Sequence, residues 1–490
     1  MIRFGEFLPD QSDFNNSGVT SANNVIPSLD GYSPFNDLAS ISDAADGDIV
    51  GMFAASNDDG TDTIYVADRA KLYKYVPSTK ALTNVSKSGN YTTASTDITN
   101  FVQFGETVVA TNFTDPIQKI TASAAGLFSD LSADAPKAKY IAVVRDFVMT
   151  AFTSDSSDGV KPYRARWSGI GDATSWAVSA TTQADFQDIM DMGSITGLVG
   201  GEYATILMEK GVVRASYIGS PLVFQFDNVE TRRGCKVPGS VTNVGHFVFY
   251  LSDDGFYMFN GQTSKGIGAE KVDRFFYNDF NSAYPQNVSA SADPKNQIII
   301  WSYPSTNSSD GSADKLIIYN YVLDRWSTAE ANVTALSPLY SATYTLEGLD
   351  NINSSLDALP ASLDSPSFIG GQFIFAAAKD KKIQTFTGDT LAAIIETGEF
   401  EVKKGSVSLV RNIIPYVTTG VDSTGTVTAQ IASRTRQVDS SSFGSSSSLN
   451  ADNFIPVRSN GRYHKVRVNL SGDWSRAQGI DVDATALGRR

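Results

Sequence analysis

Cysteine is almost missing, with one residue, Cys235, in 490. No intramolecular disulfide can form, and no thiolate zinc site can be assembled. Histidine is nearly as scarce, and His246 and His464 are the two present. Neither a His-Glu-x-x-His run nor a Gly-x-Ser-x-Gly elbow occurs, so metalloprotease and hydrolase chemistry have no recognisable anchor. Long hydrophobic runs are lacking too, and stretches such as Phe373–Ala378 fall far short of a membrane span. The opening MIRFGEFLPDQ has no apolar signal core, which predicts a soluble chain made in the cytoplasm. Basic residues are outnumbered, giving a net charge of −14, which argues against general nucleic-acid binding. The imbalance is uneven: residues 401–490 carry 12 basic and 7 acidic side chains (+5), leaving −19 on residues 1–400. A basic end of this kind is either a solvated surface or a docking face for an acidic partner.

What is plentiful is aromatic residues and glycine: 28 Phe, 20 Tyr, 5 Trp and 39 Gly, with no long helical period. That combination predicts an all-β chain of short strands and tight turns. The clearest unit runs from Gly245 to Phe276. Phe247–Leu251 is a β-branched and aromatic run, and Ser252-Asp253-Asp254-Gly255 is a turn signal in which glycine accepts positive φ. Phe256–Phe259 returns as the partner strand. Such a hairpin has too much apolar surface to stand alone and needs sheet neighbours.

The unit recurs. Runs centred on Phe53, Val109, Val148, Ile206, Phe249, Ile299 and Ile374 are spaced 56, 39, 58, 43, 50 and 75 residues apart. Each is preceded by a Gly, Asp or Asn turn and followed by a second strand rich in Tyr, Phe, Trp or Val. Periods of about 40–55 residues built from roughly four strands are those of propeller blades. The spacing predicts an irregular β-propeller of six or seven blades over residues 46–397, with an insertion near 338–366. Residues 1–45 read as an extended arm in which Phe4, Phe7, Phe14, Tyr32 and Phe35 recur between turn residues. A disordered tail is poorer in aromatics, so the arm packs along a surface, its own body or a neighbouring subunit. Residues 398–490 alternate strand patterns around a serine-rich loop, and predict a β-sandwich-like domain. With the arm it offers an assembly platform, and Arg458, Arg462, Lys465 and Arg467 are its candidate contact residues.

Little in the chain points to catalysis or to a cofactor. Asp253-Asp254 and Asp58-Asp59 sit in Asp-Asp-Gly turns, where aspartate suits the turn geometry, so they make poor paired glycosidase acids. The loops at Asn57–Asp62 and Asp155–Gly159 lack the ligand spacing of a calcium site. Trp167 with Trp176, and Trp301 with Trp326, are either sugar-stacking surfaces or core packing. Cys235 beside Arg232-Arg233 is either an activated thiol or a structural one.

A resemblance adds to this reading. PLVFQFDNVETRRGCKVPGSV, GHFVFYLSDDGFYMFNGQTSKGIGAEKVDRFF and NQIIIWSYPS with LIIYNYVLDRWS resemble tail proteins of short-tailed bacteriophages. The N-terminal FGEFLPDQSDFNNSGVTSANNVIPSLDGYSPF, the internal YIAVVRDFVMTAF and RARWSGIGDATSWA, and the C-terminal GRYHKVRVNLSG extend the likeness over nearly the whole chain. The chain is similar to the tail nozzle proteins, also called tail tubular B or packaged-DNA stabilisation proteins. That resemblance implies a propeller with added β domains and a homo-oligomeric six-fold ring in the virion, below the portal and adaptor. It further implies contact with fibre or needle proteins and transient passage of double-stranded DNA. It brings no catalytic residue, metal or cofactor. The alternatives are a receptor- or glycan-binding tail protein, or a polysaccharide-degrading virion enzyme.

Overall fold

The computed structural model describes residues 1–488 apart from 15, 59, 124, 341–354, 356–372 and 420–424. Alternating apolar runs joined by tight turns fold into seven antiparallel four-stranded blades, six of them separate sheets and one part of a larger sheet, and the chain is a β-propeller. Blade one is Gly51–Ser56, Asp62–Ala67, Leu72–Val76 and Ala81–Asn84; blade two runs from Asn100–Phe104 to Ser129–Asp130. Blades three, four and five start at Lys137–Val144, Ile195–Val199 and Thr242–Val244. Blade six contains Ser289–Asp293, Ile298–Tyr303, Ala313–Asn320 and Arg325–Val333. The hairpin singled out in the sequence forms the middle of blade five, with Leu251 opposite Phe256 across the Asp-Asp-Gly turn.

Blade seven is composite. Ala335–Tyr340, Phe373–Lys379 and Lys382–Thr385 are followed by an outer strand drawn from the other end of the chain, Ala39–Ser40. Ile41 N–H donates to the Ile383 carbonyl at 3.0 Å and Ala45 N–H to that of Lys381 at 2.8 Å, so the N-terminal segment closes the ring. Most of the insertion expected near 338–366 lies outside the described residues.

The segment 1–45 is no free arm. Val19–Asn23 lies parallel to the outer strand of blade six, Arg325–Val333, and antiparallel to Ala393–Thr397. Blade six thereby continues through Val19–Asn23 and Ala393–Thr397 into Tyr463–Ser471, Thr426–Arg434 and Ser447–Ser448, nine strands in all. At Asn24 (φ +58°) the chain bends and enters a second sheet as Val25–Ser28. That sheet adds Gly31–Pro34, Trp474–Gly488, Val407–Thr419 and Ile455–Gly461, with Ile2–Arg3 beside Trp474–Gly488. Asparagine tolerates this left-handed geometry better than most residues, and strands that switch sheets at a bend are how sandwich corners form. The two sheets enclose Phe4, Phe7, Tyr32, Val410, Ile413, Val466, Val468 and Ile480, all buried. The boundaries read from sequence therefore shift: strand Ala393–Thr397 belongs to this C-terminal platform, and residues 1–34 are structural parts of it.

Removing residues 1–40 would uncover the edges of Arg325–Val333, Ala393–Thr397 and Lys382–Thr385 together. The truncated chain is expected to be insoluble or to melt lower by about 10 °C or more. An unchanged melting temperature by scanning calorimetry would show that the segment is dispensable to the fold.

Candidate functional site

The first strands of the blades stand side by side around the propeller axis and line a central cavity of about 730 Å³. Its wall is largely aliphatic or neutral: Met52, Ile98, Asn100, Tyr140, Val143, Leu198, Val241, Thr242, Val288 and Leu336 contribute. Among the described lining residues Lys139 carries the charge, and its ammonium is paired at 2.7 Å with Asp97, whose side chain is 9% exposed. An uncharged wall and a paired lysine give the cavity no strong electrostatic preference. Seven strands fit around so narrow an axis because glycine lets neighbouring backbones approach. A β-carbon on Gly239 would lie 1.9 Å from the Val288 carbonyl oxygen, on Gly200 2.1 Å from that of Val143, and on Gly51 2.3 Å from that of Thr99. These three glycines sit at the junctions of blades five and six, three and four, and one and two.

The candidate acids lie elsewhere. Asp254 accepts a hydrogen bond from the Tyr257 hydroxyl at 2.8 Å in the blade-five turn. Asp58 meets Glu106 of the neighbouring blade's turn, and the hydrogen bond between the two carboxyls, with their like charge, holds the Glu106 carboxyl above its ordinary range. Asp273 starts the helix Asp273–Asp279; burial pushes its carboxyl up to about 6, helped by Asp10 and Asp254 and opposed by the Phe256 N–H. Asp10, in the N-terminal segment, accepts from the Arg274 and Phe275 N–H groups at 2.8 and 2.6 Å and so caps that helix. Trp167, Trp176, Trp301 and Trp326 are all buried, and the stacked pair Trp301 and Trp326 packs at 5.9 Å within the core, not on a sugar-facing surface. Cys235 is fully buried, and desolvation pushes its thiol up to about 11, the opposite of an activated thiol.

Of the nine predicted assembly residues, Phe4, Phe7, Tyr32 and Phe35 are buried within the chain's own core and cannot meet a partner. Their apolar area finds sheets of the same chain first, and each ring so buried contributes about 2–3 kcal/mol. Phe14 stays 41% exposed, edge-on to Tyr463 at 5.4 Å. Arg458 is exposed on the platform's edge strand. The other three cations are tied into ion pairs: Arg462 with Glu401 at 2.8 Å, Lys465 with Asp13 at 3.1 Å and Glu396 at 3.3 Å, and Arg467 with Glu396 at 2.6 Å. Three of the four predicted cations thus hold the platform together, and Phe14 and Arg458 remain as surface groups.

Sequence reasoning missed a polar chain through the platform core. His464 is fully buried; its Nε2 lies 2.8 Å from the Ser408 hydroxyl and its Nδ1 2.7 Å from that of Ser433, which accepts from Ser459 at 2.7 Å. Ser408 and Ser459 belong to one sheet, His464 and Ser433 to the other, so the chain links both layers. The HKVRVNL alternation was the available signal, since it places His464 on the same face as Val466 and Val468.

No family model and no curated protein matches the chain. Among solved structures it is similar to the WD40 domain of Neurospora crassa Pan2 (8% identity, TM-score 0.41, 72% of this chain and 96% of that one). It is similar as well to a computationally designed protein (8%, 0.37, 75% and 96%). A third is exo-β-1,3-galactanase from Phanerochaete chrysosporium, in complex with galactose (11%, 0.28, 81% and 98%). Identities this low bear on the fold alone.

Two outcomes follow. Gly239→Ala is expected to cost about 2–4 kcal/mol in denaturant melts, against about 1 kcal/mol for Gly245→Ala, a turn glycine at φ +57° with open space around it. Equal losses would contradict the close-packing account. Burial lowers the His464 pKa from 6.5 to about 4, so the unfolded chain binds the extra proton between those values. His464 stability is complete above pH 6.5 and lost as pH falls toward 4, by about 3 kcal/mol. Asp273, raised, runs the opposite way over pH 4–6, so the readout is wild type against His464→Gln. Parallel pH–stability curves for the two would refute it.

Proposed function

We propose that this chain is a structural component of a short bacteriophage tail. It forms a nozzle ring below the portal and adaptor, retaining packaged DNA and conducting it during ejection. The observation that supports this most is the platform. Residues from both ends of the chain, 1–34 and 393–488, make one two-sheet body that continues blade six without a break. A propeller fused rigidly to such a body has the arrangement that the resemblance implies, and it suits a load-bearing ring better than a tethered binding module. Charge points the same way: an acidic body gives sliding phosphates little to hold, since affinity for DNA grows with each basic contact.

Mass spectrometry of gradient-purified particles, with the portal as internal standard, provides the test. About six copies against about twelve portal subunits is the expected ratio. About three copies would move the assignment to a needle, fibre or receptor-binding protein, and absence from the particle would overturn it.

A further inference from the structure

Residues 5–12 of the N-terminal segment cross the loop and short helix that follow blade five, with a cavity on either side. Glu6, Leu8 and Gln11 border one, of about 490 Å³, with Lys271 among the residues opposite. Pro9, Asp10, Gln11 and Ser12 border the other, of about 720 Å³, with Arg274 opposite. Gln11 thus lies between the two. As far as Leu8 the crossing is firm: Phe7 is buried and meets Phe275 edge-on at 5.5 Å, and the Leu8 N–H donates to the Val19 carbonyl at 2.9 Å. Beyond Leu8 the hold on this loop is Asp10. Its N–H donates to the Lys271 carbonyl at 3.2 Å, its carboxylate takes the Arg274 and Phe275 N–H groups, and its carbonyl accepts from the Arg274 guanidinium at 2.6 Å.

The carboxyl beside that hold, Asp273, is poorly placed to carry a charge. A β-carbon on Gly255 would lie 2.2 Å from its Oδ2 and one on Gly268 2.0 Å from its Oδ1, so it is wedged between two backbones. It accepts one N–H, from Phe256 at 3.1 Å. Asp10 faces it from the crossing segment and Asp254 from the blade-five turn, both carboxylates. The nearby Tyr257 and Tyr277 hydroxyls donate elsewhere, to Asp254 and to the Ser252 carbonyl. The cations of its own element also turn away: Lys271 pairs with Asp324 at 3.1 Å and Glu6 at 3.4 Å, and Arg274 serves Asp10. Among the described residues no cation pairs with Asp273. Its ionisation sets three carboxylates around the point where the segment is held, in partly buried surroundings that screen them weakly.

We propose that the span Pro9–Ser12 is a pH-sensitive latch on blade five, closed while Asp273 is neutral and loosened once Asp273 is ionised. Lifting the span joins the two cavities into one groove. The sign follows from burial. Closed, Asp273 titrates at about 6; released, it returns toward its ordinary 3.8, so opening sheds a proton. The closed form is fully favoured below pH 3.8, and that preference is lost as pH rises through 6. Between pH 5 and 7.5 the opening equilibrium shifts by about tenfold. The inference is independent of the ring reading above.

A spin label on the full chain tests it. Gln11→Cys places one exposed thiol on the span, while the native Cys235, fully buried, stays unlabelled. The mobile-to-immobile ratio of the label's spectrum is expected to rise about tenfold from pH 5 to 7.5. With Asp273→Asn added, the ratio is expected to hold its pH 5 value throughout. A ratio that ignores pH in the singly substituted chain would overturn the proposal, as would an equal rise with Asp273→Asn. Asp254→Asn covers the case in which Asp273→Asn does not fold. It removes one facing charge, keeps an acceptor for Tyr257, and is expected to move the midpoint to lower pH; an unmoved midpoint would overturn the proposal too.

Discussion

Ring closure is the constraint on which the rest of this structure depends. Six blades are made from continuous stretches of chain, but the seventh has three strands from residues 335–385 and its fourth from Ala39–Ser40. The pairing is brief, Gln384 with Ser40 and Thr385 with Ala39, and the flanking bonds extend it. Asp37 N–H donates to the Asp389 carbonyl at 2.8 Å, Gly388 N–H to that of Asp37 at 2.9 Å, and Leu391 N–H to that of Phe35 at 3.0 Å. Because loop closure over more than three hundred residues is entropically expensive, the contact forms only when the intervening blades hold the ends together. Closure is therefore a cooperative property of the whole ring.

The same N-terminal segment then fixes the platform. Val19–Asn23 fills the gap between blade six and Ala393–Thr397, turning two margins into one sheet. Side chains reinforce the seam: the Ser327 hydroxyl donates to the Val25 carbonyl at 2.6 Å, and the Asn24 amide to that of Ala392 at 2.8 Å. Burying such polar groups is tolerable only because each finds a partner. The serine–histidine chain through the sandwich follows the same rule. An unpaired histidine there would be costly, while a fully satisfied one fixes how the two sheets sit across their shared core. Propeller and platform share a strand, so a displacement of one transmits to the other without a hinge.

The seven apolar runs legible in the sequence, from Phe53 to Ile374, fall one to a blade. In six blades the run is the second strand, buried on both faces and so written in continuous Val, Ile and Phe; in blade one, Phe53 lies on the inner strand. Two other inner strands are nearly silent. Ile195–Val199 (ITGLV) and Ser289–Asp293 (SASAD) are short and rich in small residues, because the crowded axis favours backbones that approach closely over bulky side chains. Aromatic recurrence marked residues 1–35 as a segment that packs, yet periodicity cannot name a partner strand several hundred residues away. The sequence therefore leaves open whether Phe4, Phe7, Tyr32 and Phe35 meet their own body or a neighbour, and the fold covers all four with their own chain. The platform cations failed for a related reason: a +5 excess is visible in composition, but the carboxylates that pair with Arg462, Lys465 and Arg467 are set by the fold.

Those pairings change what the charge asymmetry can mean. Three platform cations are spent on Glu396, Glu401 and Asp13, so the basic end of the chain is less free to grip phosphate than its composition suggests. Among the described residues the cavity wall carries one lysine, already paired. A protein that retained DNA by binding it would need the reverse arrangement, with unpaired cations facing the nucleic acid and affinity falling steeply with salt. Under the nozzle role proposed above, retention would rest on sterics rather than on binding. On that reading the platform's rigidity matters more than any one side chain.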